Sequence, residues 1–531
     1  MLTYFVLAPI VIAVFLYLFS SNKASRIIAI VLQAIFTGFS LYLLMLTRYG
    51  DVVTYVGYYQ SLLGIALRAD MIAAAFVLLT SFLFLVVAIY SLHEENSKLF
   101  WLLMFIWEGL LIGIFLSRDF FNVFVLAEVA TVVVAILIMY DKGKRSMFDG
   151  LVFLMANTVG IQFYLFGLGY VYMLTGVLDM EAAAAVIATL DRDVLILPYA
   201  LMMTSLAFKA AIIPLYSWMP KVQGIPRAPA AVAALLSGLH VKAAIFLFIR
   251  FQEIFGPVAS TDLFLVVGLV TAIVGVIMAV SQTDMRLLLA YSSTAQVGLI
   301  VAGLSLGDSY SHAGSLYHMI NHALFKVSLF LIAGVLEGMY GTRDMRKING
   351  IFKKDKFIGA AIVLAILGIT GAPLFNGNVS KYLLMSGADW VVSSVIIIIN
   401  LGTILVSIRF AAMLFGKPDA SYIGKKTDKS SDVAVYILGA LCFVGGIFGE
   451  QAMDFLFGVQ FQMSMSGFIE KVLILSGTWV VGLLVYHYVL RGNKNSKLFG
   501  RVRAIDINFR GICCSIGVFF VVILATVGFL T

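Results

Sequence analysis

Three residues spaced four apart, His318, His322 and Lys326, stand in "GSLYHMINHALFKVSLFLIAG". That spacing puts all three on one face of a helix. Imidazole titrates near neutrality and passes protons along a chain of donors and acceptors. Two histidines at this spacing also suit zinc, but no third ligand is evident and the pattern H-E-x-x-H is absent. A lone histidine in an apolar helix is often a core residue satisfied by a neighbour. A His–His–Lys stripe is harder to read that way.

Lysines recur in similar surroundings. Lys209 lies in "LAFKAAIIPLYSWMPKVQGIPRAPA", five residues before Pro214, and Lys242 lies in the next apolar run. Lys381 follows Pro373 in "ILGITGAPLFNGNVSKYLLM". Glu128 in "NVFVLAEVATVVVAIL" and Glu108 in "LLMFIWEGLLIGIF" supply deep carboxyls. A buried carboxylate beside an ammonium stays charged, and one without that partner takes up a proton. A carboxylate–lysine pair is therefore a proton-storing element governed by the separation of its members. A structural ion pair is the competing reading for the lysines, and a structural hydrogen bond for Glu108.

The elements that hold these residues are membrane spans. The chain has 531 residues, 62% hydrophobic and 12% charged, where soluble domains are about a quarter charged. Runs of about 20 apolar residues, the length of a span, recur throughout. The composition predicts an all-α, polytopic protein with about 14–16 transmembrane helices, and the segmentation gives sixteen. No basic residue precedes the first span and Lys23 and Arg26 follow it, which reads as an uncleaved span with its N-terminus outside. Of the 36 Lys and Arg, 24 fall in alternate loops and four, Arg48, Arg68, Arg118 and Arg192, in the opposite ones. That asymmetry puts the basic loops, including residues 337–356, on the cytoplasmic side. The other eight lie in or at the edges of spans. Arg250, Lys471 and Arg510 are close enough to span ends to snorkel, whereas Lys209 and Lys242 are well inside, where a charge costs at least ~2.5–3.5 kcal/mol. The net charge of +8 sits in these short loops, which argues against nucleic acid. Cys442, Cys513 and Cys514 show neither metal spacing nor a disulfide framework.

Proline removes a backbone donor and frees a carbonyl, and broken membrane helices are tolerated where they line a cavity or pack in protein. One break falls in spans four to eight and the other in spans nine to thirteen. Five-span repeats lie in opposite orientation, the pattern of inverted-repeat transporters. The expected organisation is N-terminal helices in 1–98, a first inverted repeat in 99–255, a second in 260–415 and C-terminal helices in 416–531, each repeat with one broken helix.

The stretch "FKAAIIPLYSWMPKVQGIPRAPAAVAALLSGLHVKAAIFLFIR" resembles the antiporter-like family shared by Mrp-type Na+/H+ antiporters, respiratory complex I and membrane-bound hydrogenases. "TDMRLLLAYSSTAQVGLI", "NHALFKVSLFLIAG" and "RDFFNVFVLAEV" match three more of its motifs, and the likeness spans roughly 70–415. "LAEV…MLTGVLDM" looks most like the D-type branch of the Mrp antiporters and its hydrogenase-linked relatives. The resemblance implies a relay in which Glu128 pairs with Lys209, Lys242 follows on the next helix, His318, His322 and Lys326 form the centre, and Lys381 is the terminal lysine. Departures from the pattern are Tyr216–Ser217 before Trp218, Lys221 after the Trp-x-Pro, and Gly377–Asn378 before Ser380–Lys381. His240 and Glu108 are additions to it. The two last spans exceed the usual fourteen.

The resemblance implies one member of a multisubunit complex in the cell membrane, with protons and Na+ as substrates and other membrane subunits as partners. Two function classes stand: a cation/H+ antiporter subunit, and a proton- or sodium-pumping subunit of a hydrogenase- or dehydrogenase-linked complex. The chain carries no Rossmann fingerprint and no cluster cysteines, so no cofactor and no redox chemistry of its own are expected. An inert scaffold is disfavoured, since buried ionisable groups this costly need a use.

Overall fold

The structure is a computed structural model that describes residues 1–19, 23–58, 64–94, 96–225, 228–417, 428–462, 465–490 and 496–529. Arg227 and parts of the basic loops around 418–427 and 491–495 lie outside the described residues.

Helix dominates because the apolar runs satisfy every backbone group within one segment, as a bilayer requires. The first long helices are α1 (Leu2–Phe19), α2 (Lys23–Leu46), α3 (Met71–Tyr90) and α4 (Lys98–Leu116). A short antiparallel hairpin between α2 and α3 pairs β1 (Val52–Tyr55) with β2 (Ala66–Ala69). Next come α5 (Phe120–Ile138), α6 (Lys144–Thr175), the short α7 (Met180–Ile187), and the broken pair α8 (Arg192–Lys209) and α9 (Trp218–Gln223). Helix α10 (Ala230–Leu235) passes through a π-turn at Leu236–His240 into α11 (Val241–Ile254). A second series follows: α12 (Thr261–Ser281), α13 (Met285–Leu304), α14 (Ser309–Tyr340), the short α15 (Ile351–Lys354), the broken pair α16 (Lys356–Thr370) and α17 (Asn376–Leu384), and α18 (Trp390–Ala411). The chain goes on with α19 (Lys429–Ile447), α20 (Gly449–Phe457), α21 (Met465–Val485), α22 (Ser496–Arg503) and α23 (Phe509–Phe529).

Among the described residues, 14 helices are long and apolar enough to cross a membrane. The interrupted pairs α8–α9 and α16–α17 add two crossings, in agreement with the segmentation. Boundaries moved where local chemistry overrides hydropathy. Helices α6 and α14 each run 32 residues, longer than the apolar stretch alone, because charged and polar residues at their ends continue the helix beyond it. Helix α8 stops at Lys209 rather than at the proline, since a proline disfavours helical backbone before it.

Aspartates mark the starts. Asp70, Asp119, Asp284, Asp308, Asp355 and Asp389 each accept a backbone N–H from the first turn of the helix that follows, the N-cap role of a short carboxylate. Asp70 also binds the guanidiniums of Arg118 and Arg250, so Arg250 is anchored to a cap rather than left to snorkel. Burial pushes the Asp70 carboxyl up, but Arg250, Arg118 and the Ala73 N–H outweigh it and hold it below its ordinary value.

The chain forms two compact units. One comprises Met1–Leu263 with Asn508–Thr531, and the other Phe264–Ile507. The C-terminal helices therefore divide between them. In the first unit α23 packs on α8 and α6, with Arg192 Nη2 donating to Val527 O at 2.8 Å and Phe520 against Phe163. In the second, α21 lies on α18. Small residues bring α12 and α13 together: a Cβ on Gly275 would lie 2.6 Å from Ala295 N, and one on Gly298 2.5 Å from Ala272 N. Close backbone approach of this kind is how helices associate in an apolar medium.

Candidate functional site: buried ionisable stations beside two broken helices

In the first unit the break after α8 exposes a lysine to its neighbours. Ala211 adopts a left-handed backbone with φ 57, and Ile212 N donates to Ala207 O at 3.1 Å, closing the helix end. Lys209, two residues before the left-handed turn, is buried, and its Nζ donates to Thr131 Oγ1 on α5 at 3.1 Å. The Thr131 hydroxyl itself donates to Ala127 O at 2.8 Å, which leaves its lone pair for the ammonium. Glu128 lies one turn earlier on α5 and accepts from Thr158 Oγ1 on α6 at 3.4 Å through Oε1, while its Oε2 has no partner among the described residues. Glu128 and the threonine that holds Lys209 thus lie one turn apart on α5, with no direct ion pair between carboxylate and lysine among the described residues. Sequence reasoning missed Thr131, although its one-turn spacing from Glu128 was readable.

Lys242 stands just past the π-turn. Its Nζ donates to the carbonyl of Ser237, inside the widened turn that the Ser-Gly step forms. Local π geometry loosens the backbone ladder and is common at working sites. His240, in the same turn, lies against Trp107 with ring centroids 5.9 Å apart.

The second unit holds the histidine stripe. His318 Nε2 meets Gln296 Oε1 on α13 at 3.0 Å, and His318 Nδ1 meets Ser380 Oγ on α17 at 2.9 Å. Gln296 Nε2 donates to Thr403 Oγ1 on α18 at 3.1 Å, which fixes the amide so that its oxygen faces the histidine. The neutral ring therefore carries its hydrogen on Nε2 and accepts the Ser380 hydroxyl at Nδ1. A proton arriving at Nδ1 turns the Ser380 hydroxyl toward Asn376 O, 3.2 Å away. His322 lies one turn on, its ring centroid 6.4 Å from that of His318. Lys326 donates to Leu289 O at 3.0 Å and Ser292 Oγ at 2.9 Å on α13.

The second break carries Lys381. Gly371 takes the left-handed position with φ 77, and Ala372 N donates to Leu367 O at 3.0 Å. A side chain at Gly377 would collide with the carbonyl of Gly368, so glycine is required there for α17 to start where it does. Lys381 Nζ donates to Ile369 O and to Asn400 Oδ1, each at 2.7 Å. A cavity of about 100 Å³ reaches it, lined also by Thr370, Asn378, Asn400, Lys471 and Thr478. That is room for about three waters. Lys471, on α21, also lies over the ring of Tyr382 at 4.1 Å.

The structure thus brings Glu128, Lys209 and Lys242 to the helices around the first break, and His318, His322, Lys326 and Lys381 to those around the second. Gln296, Thr403, Ser380, Asn376 and Asn400 complete the second group. Gln296 and Ser380 had a sequence signal, as parts of family motifs. The others are common polar residues whose partners lie on distant spans.

Residues 117–407 match the family described as NADH:quinone oxidoreductase/Mrp antiporter, TM. The D subunit of the Na(+)/H(+) antiporter of Alkalihalophilus pseudofirmus is 29% identical over 431 residues, covering 77% of this chain and 86% of the relative. The N subunit of the NADH-quinone oxidoreductase of Desulforudis audaxviator is 31% identical over 425 residues, covering 74% and 83%. The solved Mrp complex from a Dietzia species has a chain of the same fold, with TM-score 0.80 at 20% identity over 95% of this chain and 99% of that one. A chain of respiratory complex I from Thermus thermophilus superposes with TM-score 0.76 at 21% identity over 90% and 100%. Motifs and helix order together place this chain in the NADH:quinone oxidoreductase/Mrp antiporter transmembrane family.

Proposed function

We propose that this multi-pass protein is a proton-translocating member of a multisubunit complex in the cell membrane, and that it exchanges protons for a monovalent cation, Na+. The observation that carries the reading is Glu128 one turn from Thr131 on α5, the threonine that holds Lys209 at the end of the broken helix α8. A lysine held by a hydroxyl, with a carboxylate one turn away, gains or loses its counter-charge through small movements. Each unit supplies its own proton-exchanging side chains: the half-buried Glu128 with the buried Lys209 and Lys242 in one, and the buried His318, His322, Lys326 and Lys381 in the other. The identity to the oxidoreductase relative favours a second reading, in which the same stations pump ions for a redox complex whose chemistry resides in other subunits.

The test is proton movement in everted vesicles holding the assembled complex, after addition of Na+, K+ or Li+. Na+-driven proton efflux is expected, and it should be lost in Glu128→Ala and Lys209→Ala with the complex still assembled. Parental rates in a well-assembled Glu128→Ala complex would overturn the carboxylate role. A flux driven by electron donors and indifferent to Na+ would select the second reading.

The cytoplasmic placement of residues 337–356 follows from their six Lys and Arg. Gly341 is left-handed with φ 63, so the neighbouring Thr342→Cys is the better probe, in a protein whose three cysteines are replaced. It should be sealed from an impermeant thiol reagent in intact cells and labelled in everted vesicles.

A further inference from the structure

Glu108 takes no part in the stations described above. It lies at the centre of α4, fully buried, where α1 and α3 pack on that helix and α2 packs on both of them. A Cβ on Gly109 would sit 2.6 Å from Val6 O, so α1 comes close enough to seal this side. Gln33 of α2, also fully buried, reaches it: Gln33 Nε2 donates to Glu108 Oε1 at 2.5 Å and to Ser81 O at 3.1 Å. Both amide hydrogens are thereby used. The amide cannot be turned over, because its oxygen would then face two further acceptors with no donor among them.

Two oxygens remain. Glu108 Oε2 and Gln33 Oε1 are buried, and neither has a hydrogen-bond partner among the described residues. Both are acceptors when the carboxyl is ionised. Among the described residues nothing that packs on α4 is shown to compensate a negative charge: α1 and α3 contain no charged residue, α2 has only Lys23 and Arg26 at its start, and α4 has only Lys98 besides Glu108. Arg26 is committed to the carbonyls of Glu94 and Asn96. Helix α5, which also packs on α4, brings only a second carboxyl, Glu128, turned to Thr158. Strand β2 touches α4 as well, and its Arg68 binds Asp51 and Glu181. Of the groups on α11, another neighbour of α4, Lys242 donates to Ser237 O and Arg250 binds Asp70. His240, just before α11, lies against Trp107.

One proton on Oε2 resolves the arrangement. It supplies the missing donor and makes the two side chains a reciprocal acid–amide pair, in which the amide N–H donates to one carboxyl oxygen and the carboxyl O–H to the amide oxygen. We propose that Glu108 and Gln33 form a second proton-binding site, separate from the Glu128–Lys209 group, that holds one exchangeable proton on Glu108 Oε2. Exchange is part of the proposal for a chemical reason. A permanently neutral partner for Gln33 is a second glutamine, which makes the same reciprocal pair without an ionisable group. What glutamate adds is the ability to release the proton.

The same argument makes Glu108→Gln a variant that keeps the packing and the hydrogen bonds. The experiment is infrared spectroscopy of the assembled complex in membranes, which reads the bond itself and not ion flux. It therefore stands or falls apart from the transport reading. The parent should show the carbonyl stretch of a protonated carboxyl, shifted to lower frequency in D2O after turnover and missing in Glu108→Gln. In Gln33→Leu the band should move to higher frequency, because the amide no longer donates to the carbonyl oxygen. A parent spectrum without the band that Glu108→Gln removes would overturn the site. A band that D2O leaves unmoved would overturn exchange, and one indifferent to Gln33→Leu would overturn the pairing.

Discussion

At the first break the chain turns left-handed at Ala211, and at the second at Gly371. The hydrogen bonds around the turns correspond one for one: Ile212 N to Ala207 O and Leu215 N to Ile212 O in the first, Ala372 N to Leu367 O and Phe375 N to Ala372 O in the second. The helix starts correspond as well. Asp119 and Asp179 face each other in an isolated backbone bridge, as do Asp284 and Asp344 at the same separation. The charges do not correspond. In the first unit the lysine stands two residues before the left-handed turn. In the second, that position is Ile369, and the lysine comes from beyond the break. Yet Lys381 Nζ returns to the carbonyl of Ile369. Two sequences have delivered a lysine side chain to an interrupted helix end, one along the helix and one across the gap. What the two breaks share is a lysine side chain at the interrupted helix end, held by a hydroxyl in the first and by a carbonyl and an amide in the second. The position that supplies it is free to vary.

The largest effects should come from removing those lysines. Lys209→Ala and Lys381→Ala are each expected to cut proton-coupled transport at least about 100-fold, some 2.7 kcal/mol on the limiting barrier, with assembly unchanged. The comparison can then be pressed harder. Ile369→Lys in the Lys381→Ala background puts the ammonium where the first unit has it, and part of the lost transport should return. A rate no better than Lys381→Ala alone would break the equivalence of the two ends.

A second set of changes bears on the stripe that the first unit lacks. Lys326→Ala should cost more than either single histidine change, about tenfold or more, because Lys326 ties the stripe to α13 through two acceptors, Leu289 O and Ser292 Oγ. A water can stand in for one imidazole, so His318→Ala and His322→Ala should keep partial activity and the double variant should not. If Lys326→Ala and the double variant both transport like the parent, α14 is packing.

Much of this was legible in the sequence, for an identifiable reason. Each intramembrane charge is conspicuous because it is costly, so Glu128, Lys209, Lys242, Lys326 and Lys381 stand out in apolar text. Pro214 and Pro373 announced the breaks. Helix count and order followed from hydropathy. The partners were not legible. Thr131, Asn400 and Thr403 are unremarkable residues in spans, and their roles depend on which helices meet, which no local pattern encodes. The division of the last helices was hidden likewise: α23 belongs with α8 and α6, although 335 positions separate Arg192 from Val527, the residues whose hydrogen bond joins them.

Those partner residues give smaller effects that sharpen the contrast between the breaks. The first ammonium rests on a hydroxyl and the second on a carbonyl and an amide. Thr131→Val removes the hydroxyl while keeping the shape, and should slow transport several-fold, on the order of 1 kcal/mol for a lost hydrogen bond to a charged group. Thr131→Ser should restore it. Asn400→Leu should slow transport by a similar factor, tempered by the second acceptor Ile369 O and by water in the adjoining cavity. Equal and total loss in Thr131→Val and Glu128→Ala would make Thr131 a member of the relay instead of its support.

The smallest effects, and the most discriminating for the ancestry of the two halves, concern the matched aspartates. Asp119 and Asp284 cap α5 and α13 in the same way, but their surroundings differ in sign. Asp284 has Arg343 at 3.0 Å. Asp119 is pushed above its ordinary value of 3.8 by burial and by the Asp179 carboxylate, against N–H bonds from Asn122 and Phe121. A carboxyl whose folded-state value is raised binds more protons folded than unfolded, so stability falls as pH climbs from the ordinary value through the folded one, and the penalty is fully present above that. Asparagine caps a helix about as well as aspartate. Asp119→Asn should therefore leave the complex as stable or slightly more stable at neutral pH, with the gain vanishing as pH falls toward 3.8. Asp284→Asn loses an ion pair and should be destabilised at neutral pH by about 0.2–1 kcal/mol. Thermal unfolding of the purified complex across this pH range reads both. Opposite signs at neutral pH mean that the two halves keep one backbone and have parted electrostatically even where their helices begin, whereas shifts of the same sign would mean the caps act alone and their neighbours do not.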